Sequence, residues 1–266
     1  MRHAARLARY ASATADRRLV GRTFDGWHLD AVLGQGRFGT CFRASRSSGE
    51  VRCAALKLIK PEQGALNGDA LWNEAKALSL CAHSAVPRWL GIVRECDDAN
   101  DHGRCFMVQS LMPGASLDHL LFRQRHPFDD ATTASLGRQL IDVLAHLEHH
   151  GVVHGDVRPA NLLVDDKGTM SLVDFGLAGF FDRNATSSGA SASDRAGLAD
   201  VLLFLLYANP TVARRGKNAK VPWFEDLDLP IAQRSLLLDL FSDEPTLHGF
   251  SPIGTAFEKA FAPPIP

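Results

Sequence analysis

Apolar and polar residues alternate over residues 27–33, the period-two pattern of a half-buried strand. A glycine-rich turn follows, and residues 40–44 read as a second strand. Residues 51–59 are a third, entered through the turn Ser48-Gly49. The period then changes. Leu71, Ala75 and Leu78 recur at helical spacing, so residues 69–81 are predicted helical with Asp69 as the N-cap. Short apolar runs at 87–93 and 105–110 flank the polar stretch 95–103 and are predicted to form a hairpin.

Helical periods dominate beyond this point. Leu136, Leu140, Val143, Leu144 and Leu147 define a helix over 132–150, which Gly151 stops. Residues 161–164 and 170–173 are short strands joined by the turn Asp165-Asp166-Lys167-Gly168. Residues 183–194, rich in Ser, Ala, Thr and Gly, are expected to form a mobile loop. Residues 198–207 are apolar nearly all round, as in a buried helix. Residues 235–241 and 255–261 are predicted helices as well. The pattern is that of an α+β chain of two lobes, strand-rich before a joint near Met112-Pro113-Gly114 and helix-rich after it.

Composition narrows this picture without changing it. The 266 residues, 45% hydrophobic and 22% charged, suit one large domain or two packed lobes and exclude a disordered or collagenous chain. A net charge of −1 argues against a dedicated nucleic-acid or membrane-surface binder. The charge is uneven, however. Arg2, Arg6, Arg9, Arg17, Arg18 and Arg22 face only Asp16 in the first 22 residues. Residues 1–26 therefore read as a basic N-terminal extension: a solvated helix, or alternatively an organelle presequence or an arm for an acidic partner. No apolar run approaches the ~20 residues of a membrane-spanning helix. The five cysteines are odd in number and form no C-x-x-C pair, which suits free thiols in a reducing, cytoplasmic setting. A zinc site from Cys81, His83 and Cys96 fits no tight ligand spacing.

Three sets of residues carry chemistry. Gly34-Gln35-Gly36-Arg37-Phe38-Gly39 lies between two predicted strands, where glycines let backbone N–H groups approach a polyphosphate. The strand that follows disfavours a dinucleotide site, which needs a helix there. Lys57 stands in the apolar run of the third strand, with Glu74 on the next helix as a plausible partner; the plain alternative is the polar face of an edge strand. The strongest signal is His154-Gly155-Asp156-Val157-Arg158-Pro159-Ala160-Asn161, followed by Asp174-Phe175-Gly176. Phosphoryl transfer needs a carboxylate aimed at the acceptor hydroxyl and oxygen ligands for Mg²⁺. Asp156 can be the first, and Asn161 with Asp174 the second.

This order of motifs resembles the eukaryotic-type protein kinase family, mainly Ser/Thr kinases, over residues 27–262. The resemblance implies a two-lobe fold, with residues 27–112 as a small antiparallel-sheet lobe plus hinge and 113–266 as a mostly helical lobe. It implies ATP and Mg²⁺ as cofactors and a protein substrate. The Gly34–Gly39 turn would cover the phosphates. Lys57, paired to Glu74 and expected outside the core, would bind them. Asp156 would take the hydroxyl proton with Arg158 beside the transferring phosphate, and Asn161 and Asp174 would hold the metal. Gln109 would guard the adenine pocket, backbone groups of Ser110 and Met112 would bind adenine, and Cys41, Ala55 and Leu163 would join the ATP-binding set. Asp194 would brace the catalytic loop.

The chain departs from the family in four places. Gly155 replaces the arginine that many members carry before the catalytic aspartate, and Arg158 replaces a lysine. Only 20 positions separate Asp174 from Asp194, and no Ala-Pro-Glu lies between them. These features imply a shortened activation segment without a phosphate switch. A phosphotransferase acting on a small molecule or saccharide is the alternative. A catalytically dead scaffold is disfavoured because Lys57, Glu74, Asp156, Asn161 and Asp174 are all present.

Overall fold

The structure is a computed structural model that describes residues 16–36, 39–59, 65–95, 104–181, 191–212 and 221–262. Backbone proximity divides it into two compact units. One holds the described residues through Ser79 together with Pro87–Met112, and the other holds Leu80–Val86 and the described residues from Pro113 onward.

The first unit is built on the alternating segments. β1 (Thr23–Phe24), β2 (Trp27–Gly36), β3 (Gly39–Ser45), β4 (Cys53–Ile59), β5 (Trp89–Arg94) and β6 (Cys105–Ser110) form one sheet in the order β1-β2-β3-β4-β6-β5. Every neighbouring pair is antiparallel. The period of two sorts the side chains. Leu29, Phe42, Leu56, Leu58, Phe106 and Val108 share an apolar core with Leu19, Phe24 and Trp27. Burial of each large side chain in that core stabilises by about 1.5–3 kcal/mol. The alternate positions carry Cys41, Ala55, Lys57, Met107 and Gln109, with Cys41 opposite Lys57, Lys57 opposite Met107 and Ala55 opposite Gln109. Helix α1 (Ala65–Leu80) follows β4.

Two boundaries differ from the sequence pattern here. Helix α1 starts four residues before Asp69, which is therefore interior and not its N-cap. The chain also joins the sheet earlier than its charge suggests. Leu19 and Phe24 are buried and β1 pairs with β2, because apolar side chains interleave with Arg17, Arg18 and Arg22. Residues 1–15 of the expected extension lie outside the described residues.

The second unit is mainly helical, with α2 (Asp130–His149), α3 (Ala192–Ala208), α4 (Trp223–Asp226), α5 (Ile231–Phe241) and α6 (Phe250–Ala260). The Asp129 side chain caps α2 by accepting the Thr132 N–H at 2.8 Å. Its apolar stripe, Leu136, Leu140, Val143, Leu144 and Leu147, is buried. Small strands carry the connecting loops. β7 (Ala115–Ser116) pairs with β9 (Leu162–Val164), which pairs with β10 (Met170–Leu172); β8 (Val152–Val153) pairs with β11 (Gly179–Phe180). Helix α3 begins at Ala192, so residues 192–194 are its first turn and not loop. Among the described residues no helix is long and apolar enough to cross a membrane.

Candidate active site

The candidate residues divide between the two units. In the first, Lys57 Nζ donates to Glu74 Oε2 at 2.7 Å. β4 lies between β3 and β6, so Lys57 is not an edge-strand lysine. It lies outside the apolar core, as expected, yet is buried: Lys57 is 9% exposed and Glu74 3%. Two charges this buried stabilise one another only as a pair. The strand holds the lysine and a separate helix brings the carboxylate, so neither can drift alone.

Gly34 and Gly36 end β2 and Gly39 starts β3, with Gly36 opposite Gly39 in register. Arg37 and Phe38 lie outside the described residues. On β6, Gln109 is buried. The Ser110 N–H donates to the Arg88 carbonyl at 2.9 Å, and Ser110 Oγ accepts the Arg88 N–H at 2.8 Å. A ligand contact from the Ser110 backbone therefore falls to its carbonyl. Ser110 Oγ also donates to Met112 Sδ at 3.8 Å.

In the second unit, residues 153–161 form a loop fixed by hydrogen bonds. The Asn161 amide donates to the Asp156 carbonyl at 2.9 Å and to Asp156 Oδ2 at 2.8 Å. Arg158 Nε lies 3.4 Å from the same Oδ2. Both side-chain contacts fall on one oxygen, Oδ2, which sets the carboxylate's direction. Pro159 opens a short 3₁₀ turn to Asn161, and its ring supplies the starting φ. Leu163, one residue past the first position of β9, pairs with Ser116 and Ser171.

Asp194 lies beneath this loop. Its carboxylate accepts the N–H groups of His154 and Gly155, each at 2.8 Å. Burial pushes the Asp194 carboxyl above its ordinary value, against the pull of these donors. His154 is fully buried; its Nδ1 accepts the Asp156 N–H at 3.2 Å and its Nε2 donates to the Val173 carbonyl at 3.2 Å. Those bonds require a neutral imidazole, and burial depresses its affinity for a second proton in the same direction. One histidine thus ties the segment before Asp156 to the segment before Asp174. Phe175 is buried against the His154 ring, with centroids 4.7 Å apart. Asp174 itself holds φ 65°, the left-handed region in which non-glycine residues are strained.

Gly155 is the residue that composition alone leaves unexplained. Its φ is 79°, and a Cβ there would stand 2.5 Å from the Leu177 carbonyl oxygen. The loop and the segment after Asp174 meet where a side chain would be, so this backbone has no room for arginine. Sequence reasoning also missed His154 as a bridge, because a buried histidine carries no periodic signal. Cys81 and His83 are committed elsewhere. Burial pushes the Cys81 thiol up to about 11, and His83 bonds Asp142 and the Ala85 N–H.

A lysine on a central strand paired with a helix glutamate, and an aspartate–asparagine loop braced by a buried aspartate, define the class of protein-kinase-like phosphotransferases. The chain matches the protein kinase domain over residues 27–200 and belongs to that family. It is 32% identical over 172 residues to the mitogen-activated protein kinase kinase kinase ANP1 of Arabidopsis thaliana, covering 62% of this chain and 25% of that one. It is 25% identical over 208 residues to the probable serine/threonine-protein kinase YbdM of Bacillus subtilis, covering 76% and 77% of the two chains. The chain thus spans about a quarter of the length of ANP1 and of mitogen-activated protein kinase kinase kinase 2 of the same plant.

Proposed function

We propose that the chain transfers the γ-phosphoryl group of ATP to a Ser or Thr hydroxyl of a protein in the cytoplasm. The observation that carries this reading is the Asp156 carboxylate, held on one oxygen by Asn161 and Arg158 in a loop braced by Asp194. Asp156 Oδ1 orients the acceptor hydroxyl and takes its proton. Arg158, more than half exposed, offers its guanidinium to the transferring phosphate. Lys57 holds the α- and β-phosphates, and Glu74 fixes its direction. The residues suit a hard divalent cation: the Asn161 nitrogen faces Asp156, so its amide oxygen and the Asp174 carboxylate are the donors for Mg²⁺. The ion supplies charge neutralisation at the phosphates. The twenty-position interval from Asp174 to Asp194 leaves an acceptor platform shorter than a typical protein kinase's, and this keeps a small-molecule acceptor as the second reading.

Calorimetry tests the metal assignment. Asp174→Ala is expected to remove the Mg²⁺-dependent tightening of ATP binding. Binding of Mg-ATP equal to the wild type contradicts the assignment.

The geometry around Gly155 also bears on regulation. A phosphate on the activation segment lacks its usual arginine partner, and Arg195 is engaged by the Leu240 and Ser242 carbonyls at 3.1 and 2.7 Å. Arg183, Thr186, Ser187 and Ser188 lie outside the described residues, while Ser191 and Ser193 are hydrogen bonded to each other at 2.8 Å. Phosphatase-treated protein is expected to keep its rate, as is a variant with Thr186, Ser187, Ser188, Ser191 and Ser193 all changed to alanine. A large fall in either rate contradicts a phosphate-independent enzyme.

A further inference from the structure

We infer that Asp16 is a positioning residue for the glycine turn, acting through Thr40; this rests on the nucleotide reading of that turn. Thr40 Oγ1 donates to Asp16 Oδ2 at 2.6 Å across 24 residues of sequence. Thr40 is 1% exposed and Asp16 8%. Along β3, Thr40 shares a face with Phe42 and Ala44 that is otherwise apolar. A buried hydroxyl–carboxylate pair in such a layer holds one geometry or costs stability. Simple packing would be met by valine, which has threonine's shape.

The position of Thr40 gives the pair its reach. It follows Gly39, the last glycine of the turn, and precedes Cys41, which stands opposite Lys57 in register. At Gly39 the strand is pressed on β4, since a Cβ there would lie 2.1 Å from the Leu58 carbonyl oxygen. Thr40 itself pairs with Gln35 and Leu58. The start of β3 is thus held by its two neighbouring strands and, on its apolar face, by Asp16.

The segment that carries Asp16 is anchored at its other end. Leu19 is buried, Gly21 donates to the Leu29 carbonyl at 2.8 Å, and Leu29 donates to the Arg22 carbonyl at 2.9 Å. Arg22 Nη2 binds Glu95 Oε1 at 3.1 Å. Arg17 and Val20 of this segment also line a concavity of about 620 Å³ together with Val32, Leu33, Gly34 and Gln35 of β2. The segment therefore meets the end of β3 through a directed, buried hydrogen bond from Thr40 to Asp16. It is a strut with a fixed foot, and its head sets where the returning strand of the turn begins. Strengthening or releasing that head shifts Gly39 and Thr40, where the chain re-enters β3, and so changes the affinity for the nucleotide. The hydroxyl acceptor chemistry at Asp156 does not pass through it.

The test uses the full chain and Mg-ATP, with calorimetric Kd, kcat and Tm measured on Thr40→Val, Asp16→Ala, their double variant and Thr40→Ser. Each single change that removes the bond is expected to weaken nucleotide binding about 3- to 10-fold. The double variant should lose no more than either single one. The kcat at saturating ATP should hold within about twofold, and Thr40→Ser, which keeps the hydroxyl, should bind as the wild type does. A lowered Tm with unchanged Kd in Thr40→Val and Asp16→Ala overturns the inference, since that is a purely structural pair. Additive losses in the double variant overturn it too. A wild type that binds no nucleotide overturns the kinase reading and this inference with it. A wild type that binds ATP, with variants that bind it equally, overturns the inference alone.

Discussion

Asp156→Asn should lower kcat by about 10²-fold or more while changing the nucleotide Kd only a few-fold, about 1 kcal/mol or less. A positioned carboxylate that accepts the hydroxyl proton acts in the transition state, and asparagine cannot take the proton. It can still accept the Asn161 amide hydrogen bond through its own oxygen, and its size is unchanged. The backbone bonds of the loop, from Asp156 N–H to His154 and from Asn161 to the Asp156 carbonyl, do not involve the substituted group. Tm should therefore stay close to that of the wild type. If Asp156 merely shaped the turn, asparagine would serve nearly as well and activity would persist. Rate, affinity and Tm on this one variant separate the two roles.

Lys57→Met should abolish transfer, and it should also destabilise the fold. The sequence alone suggests a lysine at the cleft and outside the core, whose removal leaves the fold cooperative. The structure places it 2.7 Å from a glutamate that is 3% exposed. Removing the ammonium leaves a buried carboxylate without its main counter-charge, a loss of about 3–5 kcal/mol. Changing both partners, Lys57→Met with Glu74→Leu, removes the stranded charge and should recover most of the lost Tm without recovering activity. Thermal melts and turnover on the single and double variants test both parts. Retention of most of the turnover by Lys57→Met contradicts the assignment of this lysine to the phosphates.

The parts of the structure legible in the sequence are those with a repeating signal. Alternation locates β2, the glycine-rich and Ser48-Gly49 turns locate β3 and β4, and the Leu136-to-Leu147 stripe locates α2. The pair Lys57–Glu74 is legible because its chemistry requires particular residue types at ordered positions, whereas the Asn161–Asp156 hydrogen bond is not, since the sequence points Asn161 only toward a metal. What was hidden lacks a period or depends on tertiary context. β1, β7, β8 and β11 are two residues long, too short to alternate. The first turn of α3 reads as loop because Ser and Ala carry no apolar stripe, while its Asp194 is held by N–H groups forty residues earlier. Asp69 has the right type for a cap but sits inside a helix that begins at Ala65. The same holds for Asp16, which reads as the lone acid of a basic arm and proves to be a buried partner of Thr40.

The most direct measurement incubates the purified chain with Mg²⁺ and γ-labelled ATP, alone and with generic protein acceptors, and follows the label by phosphoamino-acid analysis. Label on serine or threonine of the acceptor, dependent on Mg²⁺ and lost in Asp156→Asn, is the predicted result. Label that never enters protein, or that enters equally with Asp156→Asn, contradicts it.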